Sequence, residues 1–241
     1  MKKLILSAIL AGVFYPVISA PEAHAQSASP LVYGVQLEEF EFRSGDENED
    51  LFVWNMDAFV GNDEVRFRWL SEGEYDRKEN SFEGLENRFV AQVPVSTFFD
   101  VKAGVRIDTP KGPDRWYGMV GLTGLAPQWI EIDADLFISE KGDVSARLDA
   151  EYELLFTNQL ILTSSADINV AFADDTEIEV KSGLTSAELG LRLSYDVVDR
   201  LLSPYVGVVY ERKLGDTADL ARSEGKDIES WFGVVGLKMV F

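Results

Sequence analysis

The stretch Trp231-Phe-Gly-Val-Val-Gly-Leu-Lys-Met-Val-Phe241 decides the fold. Taken by twos from its end, Phe241, Met239, Leu237, Val235, Gly233 and Trp231 form an apolar face with an aromatic ring at each tip. Lys238, Gly236 and Ser230 lie on the other face. A period of two with one greasy side marks a strand. Aromatic tips match the two interfacial girdles of an outer-membrane barrel. The edge of a soluble sandwich would alternate too, but the far end of the chain argues against that.

There, Lys2 and Lys3 supply a positive region, Leu4 to Ala20 an apolar run, and Ala23-His24-Ala25 a cleavage site. Residues 1–25 are therefore expected to be a signal peptide and 26–241 the barrel. An uncleaved anchor fits less well because Pro16 interrupts the run. Past it, no stretch approaches the roughly 18 apolar residues that a spanning helix needs.

Composition removes whole classes of function. The 241 residues include 42 acidic and 22 basic side chains, no cysteine, and a single histidine, His24, inside the expected signal peptide. Disulfide frameworks and thiolate metal sites are excluded. So are nucleophile schemes that use a histidine base. The negative charge excludes nucleic acid and favours cations as partners. Carboxylates two apart, Asp133 with Asp135 and Glu151 with Glu153, could do acid–base work. Their spacing is that of charges lining one wall of a strand, so no catalytic residue is assigned and the chain is read as non-enzymatic.

The terminal pattern repeats. Ile130, Ile132, Ala134, Leu136 and Ile138 alternate with Glu131, Asp133 and Asp135. Val144, Ala146, Leu148, Ala150 and Tyr152 alternate with Ser145, Arg147, Asp149 and Glu151. A helix would scatter these charges around its axis. Strands are predicted near 31–43, 51–60, 64–74, 84–95, 99–108, 115–125, 128–139, 143–155, 159–172, 184–198, 203–213 and 229–241. The expectation is an all-β fold, a closed antiparallel transmembrane β-barrel of about 12 strands. Residues 44–50, 75–83, 174–182 and 214–228 would form the longer outer loops. Parity sends Glu38, Asp57, Glu64, Glu72, Glu74, Glu131, Asp133, Asp149, Asp167, Glu188 and Glu211 into the lumen with Arg68, Arg88, Arg106, Arg147 and Arg192. Such a lumen is either a satisfied ion-pair network or a cation-attracting path. The many arginines weigh toward the first, and the excess of carboxylates makes any permeant ion a cation.

Asp57-Ala-Phe-Val-Gly-Asn-Asp63 followed by Glu64-Val-Arg-Phe-Arg-Trp-Leu-Ser-Glu-Gly-Glu74 resembles the outer-membrane copper resistance protein B family. Gly121-Leu-Thr-Gly-Leu-Ala-Pro-Gln-Trp-Ile-Glu131, Asp149 to Leu162, and Ser203-Pro-Tyr-Val-Gly-Val208 with Gly215-Asp-Thr-Ala-Asp219 are similar to it too. The resemblance implies a role in copper tolerance at the cell outer membrane. Its implied partners are copper or other cations, outer-membrane lipid and a periplasmic copper protein. Asp57, Asp63, Glu72 and Glu74 become the candidate metal-binding carboxylates, expected toward the mouth of one hairpin. Met119, on the lumen face with Arg115 and Tyr117, is the one candidate soft ligand. Copper favours thioether and imidazole donors, so carboxylates without imidazole imply weak copper binding. The alternative is a general cation-selective or structural barrel with no copper-specific role.

Overall fold

The computed structural model describes residues 29–45, 49–109, 112–198 and 200–241, and the expected signal peptide lies outside them. Twelve strands follow one another: β1 (Val32–Gly45), β2 (Asp50–Gly61), β3 (Arg66–Asp76), β4 (Ser81–Pro94), β5 (Phe99–Thr109), β6 (Arg115–Ala126), β7 (Ile130–Ser139), β8 (Val144–Leu155), β9 (Leu160–Ala171), β10 (Gly183–Tyr195), β11 (Leu202–Lys213) and β12 (Glu229–Val240). Each pairs antiparallel with its sequence neighbours, and β1 pairs with β12 to close the barrel. Phe241 exchanges backbone hydrogen bonds of 2.8 and 3.1 Å with Val35 at that seam. Closure leaves no strand edge unpaired, which is what a sheet in hydrocarbon requires.

Alternation sorts the side chains as expected. Leu136, Leu148, Leu189, Leu191, Val206 and Val235 are exposed on the outer surface, where lipid is the solvent. Aromatics collect at both ends of that surface. Tyr33, Phe98, Trp129 and Phe241 mark the end that carries the termini, and Trp116, Phe172 and Trp231 the other. By the rule that short turns are periplasmic and longer loops extracellular, the first end faces the periplasm. The protein is an outer-membrane β-barrel.

Three local features depart from the expectation. Strand β3 begins at Arg66 because Asn62 accepts hydrogen bonds from the backbone amides of Glu64 and Val65, both 2.9 Å, which folds 62–65 into a turn. Glu64 is thus a turn residue and not a lumen residue. In β1, pairing slips by one residue between Leu37 and Glu39. This bulge reverses the parity beyond it, so Glu39, Glu41 and Arg43 join Glu38 inside. Finally, the outer loop 214–228 contains a nine-residue helix, α1 (Gly215–Ser223), that buries Thr217, Ala218 and Ala221. It is a short element within a loop and leaves the architecture all-β.

The interior is packed. Leu51, Val53, Tyr205, Val209, Phe232 and Val234 form one apolar cluster. Leu70, Val90, Met119 and Phe137, with Tyr117 against them, form another.

Candidate functional site

The lumen charges are arranged in rows set by strand register. Asp133 stands opposite Asp149, Asp149 opposite Asp167, Asp167 opposite Glu188, and Glu188 opposite Glu211. Directly opposed side chains lie about 5 Å apart. Strands in a barrel are tilted, so a row that follows the pairing direction climbs the wall. This one rises from near the periplasmic end of β7 to near the outer end of β11. A second row runs Glu39, Asn55, Glu72, Glu86 and Asp108 across β1 to β5. Like charges directly opposed are destabilising, so both rows depend on cations set between them.

Among the described ion pairs, each carboxylate of the two rows except Asp149 has such a cation within 4.0 Å. Arg43 contacts Glu41 at 2.7 Å, Glu211 at 2.6 Å, and Glu39 and Glu188 at 3.3 Å. Arg192 holds Glu39 at 2.8 Å and Glu41 at 3.0 Å, while the Tyr205 hydroxyl donates to Glu41 at 2.7 Å. On the other wall, Lys102 donates to Asp133 at 2.6 Å and to Asp135 at 3.0 Å. Asp135 fits because Gly121 beside it has no side chain. Glu86 is gripped by Arg106 at 2.7 Å and by Arg147 at 3.0 Å. Several of these groups are nearly sealed from solvent: Glu41 is 1 % exposed, Arg43 2 % and Lys102 0 %.

Among the described residues, two cavities lie in the lumen. The periplasmic one, about 540 Å³, is lined by carboxylates that outnumber cations about two to one, including Glu38, Asp133, Asp149, Glu151, Asp167 and Glu188. The outer one, about 390 Å³, lies under the β9–β10 loop. Asp175 and Glu177 of that loop bind Arg115 at 3.0 and 2.7 Å, and Glu177 also binds Lys141 at 2.8 Å. The Lys141 ammonium and then the Arg115 guanidinium hold the Glu177 carboxyl down to about 2. Lys181 and the backbone and hydroxyl of Ser182 do the same for Asp174, also to about 2. Helix α1 braces the loop, because the Lys181 amide donates to the Thr217 hydroxyl at 3.0 Å.

The candidate metal-binding residues are dispersed. Asp57 is 3 % exposed and bound by Arg68 at 2.6 Å. Asp63 is exposed in the periplasmic turn, one strand length from Glu72 and Glu74. Glu72 has both carboxylate oxygens engaged, one by Arg88 and one by Arg147. Glu74 follows it on the same face toward the outer end, and these two line both cavities. Met119 faces the lumen as expected but packs with Leu70, Val90 and Phe137. Among the described residues, no three His, Cys, Asp or Glu side chains are grouped to hold a metal ion. With no imidazole and with Asp57 and Glu72 engaged by guanidinium groups, the candidate set does not fit a tight resident copper centre. The sequence reading missed Glu39, Glu41 and Arg43, although the switch of apolar parity from Leu37 to Phe40 signals the bulge.

The family described as copper resistance protein B precursor matches residues 31–241. A copper resistance protein B homolog of Pseudomonas syringae pv. tomato is 36% identical over 189 residues, covering 78% of this chain and 63% of that protein. The chain thus spans under two thirds of that relative's length. Copper resistance protein B of Escherichia coli is 34% identical over 220 residues, covering 91% of this chain and 73% of the relative. Among solved structures, the NanC porin aligns with a TM-score of 0.53 at 13% identity, covering 86% of this chain and 99% of that one. That likeness is one of fold.

Proposed function

The chain belongs to the copper resistance protein B family, and on that premise we propose that it supports copper tolerance as a non-enzymatic outer-membrane barrel that handles copper ions in its acidic lumen. The observation that carries this reading is the climbing row Asp133, Asp149, Asp167, Glu188 and Glu211. Oxygen donors repeated at one-strand intervals attract a cation without trapping it, which is what passage requires. Weak, multi-point contact suits a lumen that offers carboxylates in place of imidazole. The periplasmic cavity opens where a periplasmic copper protein would deliver its ion.

A second reading has support of its own: many lumen carboxylates touch an arginine or lysine, as a structural or general cation-selective barrel would have it. The test is genetic. Deleting the gene should sensitise cells to copper, and a copy carrying Asp149→Asn with Glu188→Gln should fail to restore tolerance although the barrel assembles. Unchanged tolerance on deletion would leave the fold shared and the function not.

A further inference from the structure

The two lumen cavities share only Glu72, Gly73 and Glu74 among their lining residues. Glu72, at that junction, is held by Arg88 of the adjacent strand and by Arg147, a guanidinium that reaches it across the bore. Arg147 rises from β8, and its partners are Glu86 on β4 and Glu72 on β3, four and five strands away around the wall. It donates to both oxygens of Glu86, at 3.1 and 3.0 Å, and to Glu72 at 3.2 Å. Its Nε donates to Asn169 at 3.1 Å, which fixes the near end of the side chain.

The five-strand reach to Glu72 sets Arg147 apart among the described ion pairs; Lys238 on β12 spans four strands to Glu151 on β8, at 3.7 Å. Arg43 on β1 reaches Glu188 on β10, and Arg88 on β4 reaches Asp135 on β7, each only three strands away. Those contacts stitch neighbouring parts of the wall. Arg147 crosses the interior, and it does so over an aromatic floor. Its guanidinium carbon stands 6.0 Å from the centre of the Phe137 ring, and that of Arg106 stands 4.7 Å from it. Phe137 itself is 1 % exposed and packs with Leu70, Val90 and Met119. An ion leaving the periplasmic cavity thus meets an apolar floor and a fixed positive charge at the same level.

We propose that Arg147 is the bar that closes the lumen between the two cavities, and that this residue sets how readily cations pass. The carboxylates on either side concentrate cations, and Arg147 repels them where the path narrows. Arginine stays charged under all physiological conditions, so the bar does not lift by deprotonation. It lifts only when Glu72 and Glu86 release it. This rests on reading the lumen as a cation path, and it names the residue that controls that path.

Conductance tests it with potassium alone. Purified wild-type protein and the Arg147→Gln variant would be compared in planar bilayers in potassium chloride, with assembly checked by gel mobility of the unheated barrel. We expect a several-fold rise in single-channel conductance and a reversal potential shifted toward cation selectivity. Equal conductance in the two assembled proteins overturns the proposal. Should Arg147→Gln not assemble, Arg147→Lys keeps the charge but cannot hold Glu86 with two bonds. It should give a smaller rise, and no rise overturns the proposal equally. Copper tolerance is read separately on the deletion strain. A conductance that does not move while deletion sensitises cells removes the bar and leaves the copper role standing. The converse result removes the copper role and leaves the bar.

Discussion

Two guanidinium–carboxylate assemblies in this barrel use the same chemistry for different ends. The one around Glu41 joins Arg43, Arg192 and Tyr205, and its central members are 1 to 3 % exposed. The one around Glu72 and Glu86 joins Arg88, Arg106 and Arg147 and borders both cavities. The first packs beside the apolar cluster of Tyr205 and Val209, and although Arg43 and Arg192 border the periplasmic cavity, so little of it is exposed that it behaves as core. In the second, Arg88 is buried but Glu86, Arg147 and Glu72 are 11 to 29 % exposed, so water and ions reach those three. Burial, not residue type, separates a brace from a control point.

Removing Glu41 should break this contrast most visibly. Glu41→Ala leaves two buried guanidinium groups short of their main partner, and breaking such a pair from one side costs about 3–5 kcal/mol. Urea unfolding of the lipid-reconstituted barrel should show that loss. A loss no larger than that of Glu72→Gln would place both assemblies in the same class. A subtler change sharpens the contrast. Tyr205→Phe deletes one hydrogen bond to Glu41 while both arginines stay, so about 1–2 kcal/mol should be lost. Conductance should not move with it, because Tyr205 lies in the sealed assembly.

The smallest effect concerns the outer loop, the solvated extreme of the comparison. Asp174 and Glu177 are held down to about 2 by Lys181 and Lys141 with their neighbours. A carboxyl lowered on folding contributes above its unfolded value, and that contribution fades as pH falls through the folded one. Protease sensitivity of the β9–β10 loop should therefore stay flat down to about pH 5 and rise below it. A rise between neutrality and that point would mean the loop is held by something else.

Much of this was legible in the chain. Ile130 to Ile138 and Val144 to Tyr152 show lipid on one side and charge on the other, because a strand in hydrocarbon cannot hide a misplaced ion. Parity also placed Asp149, Asp167 and Glu188 inside. It failed at β1, where counting by twos cannot survive an inserted residue, and it failed at Glu64, where Asn62 makes a turn. Pairs such as Arg147 with Glu86 were beyond reach for another reason. They depend on how far the sheet shears as it closes, a property of all twelve strands together and of no local pattern. The candidate carboxylates were gathered by motif adjacency, and Asp63 was lost when β3 carried Glu72 and Glu74 to the other end of the barrel.

The seam between Val35 and Phe241 orders events in time. Every other strand pairing joins neighbours along the chain, whereas this one joins β1 to β12, nearly the full length apart. Contacts of such separation form late, since the closure entropy of the whole chain opposes them. During synthesis and export β1 therefore waits with an open edge, a row of unpaired amides and carbonyls beside Phe40 and Phe42, until the last strand arrives. For that interval the half-made barrel is an aggregation hazard, and the cell that makes it has to shelter one edge until β12 is in place.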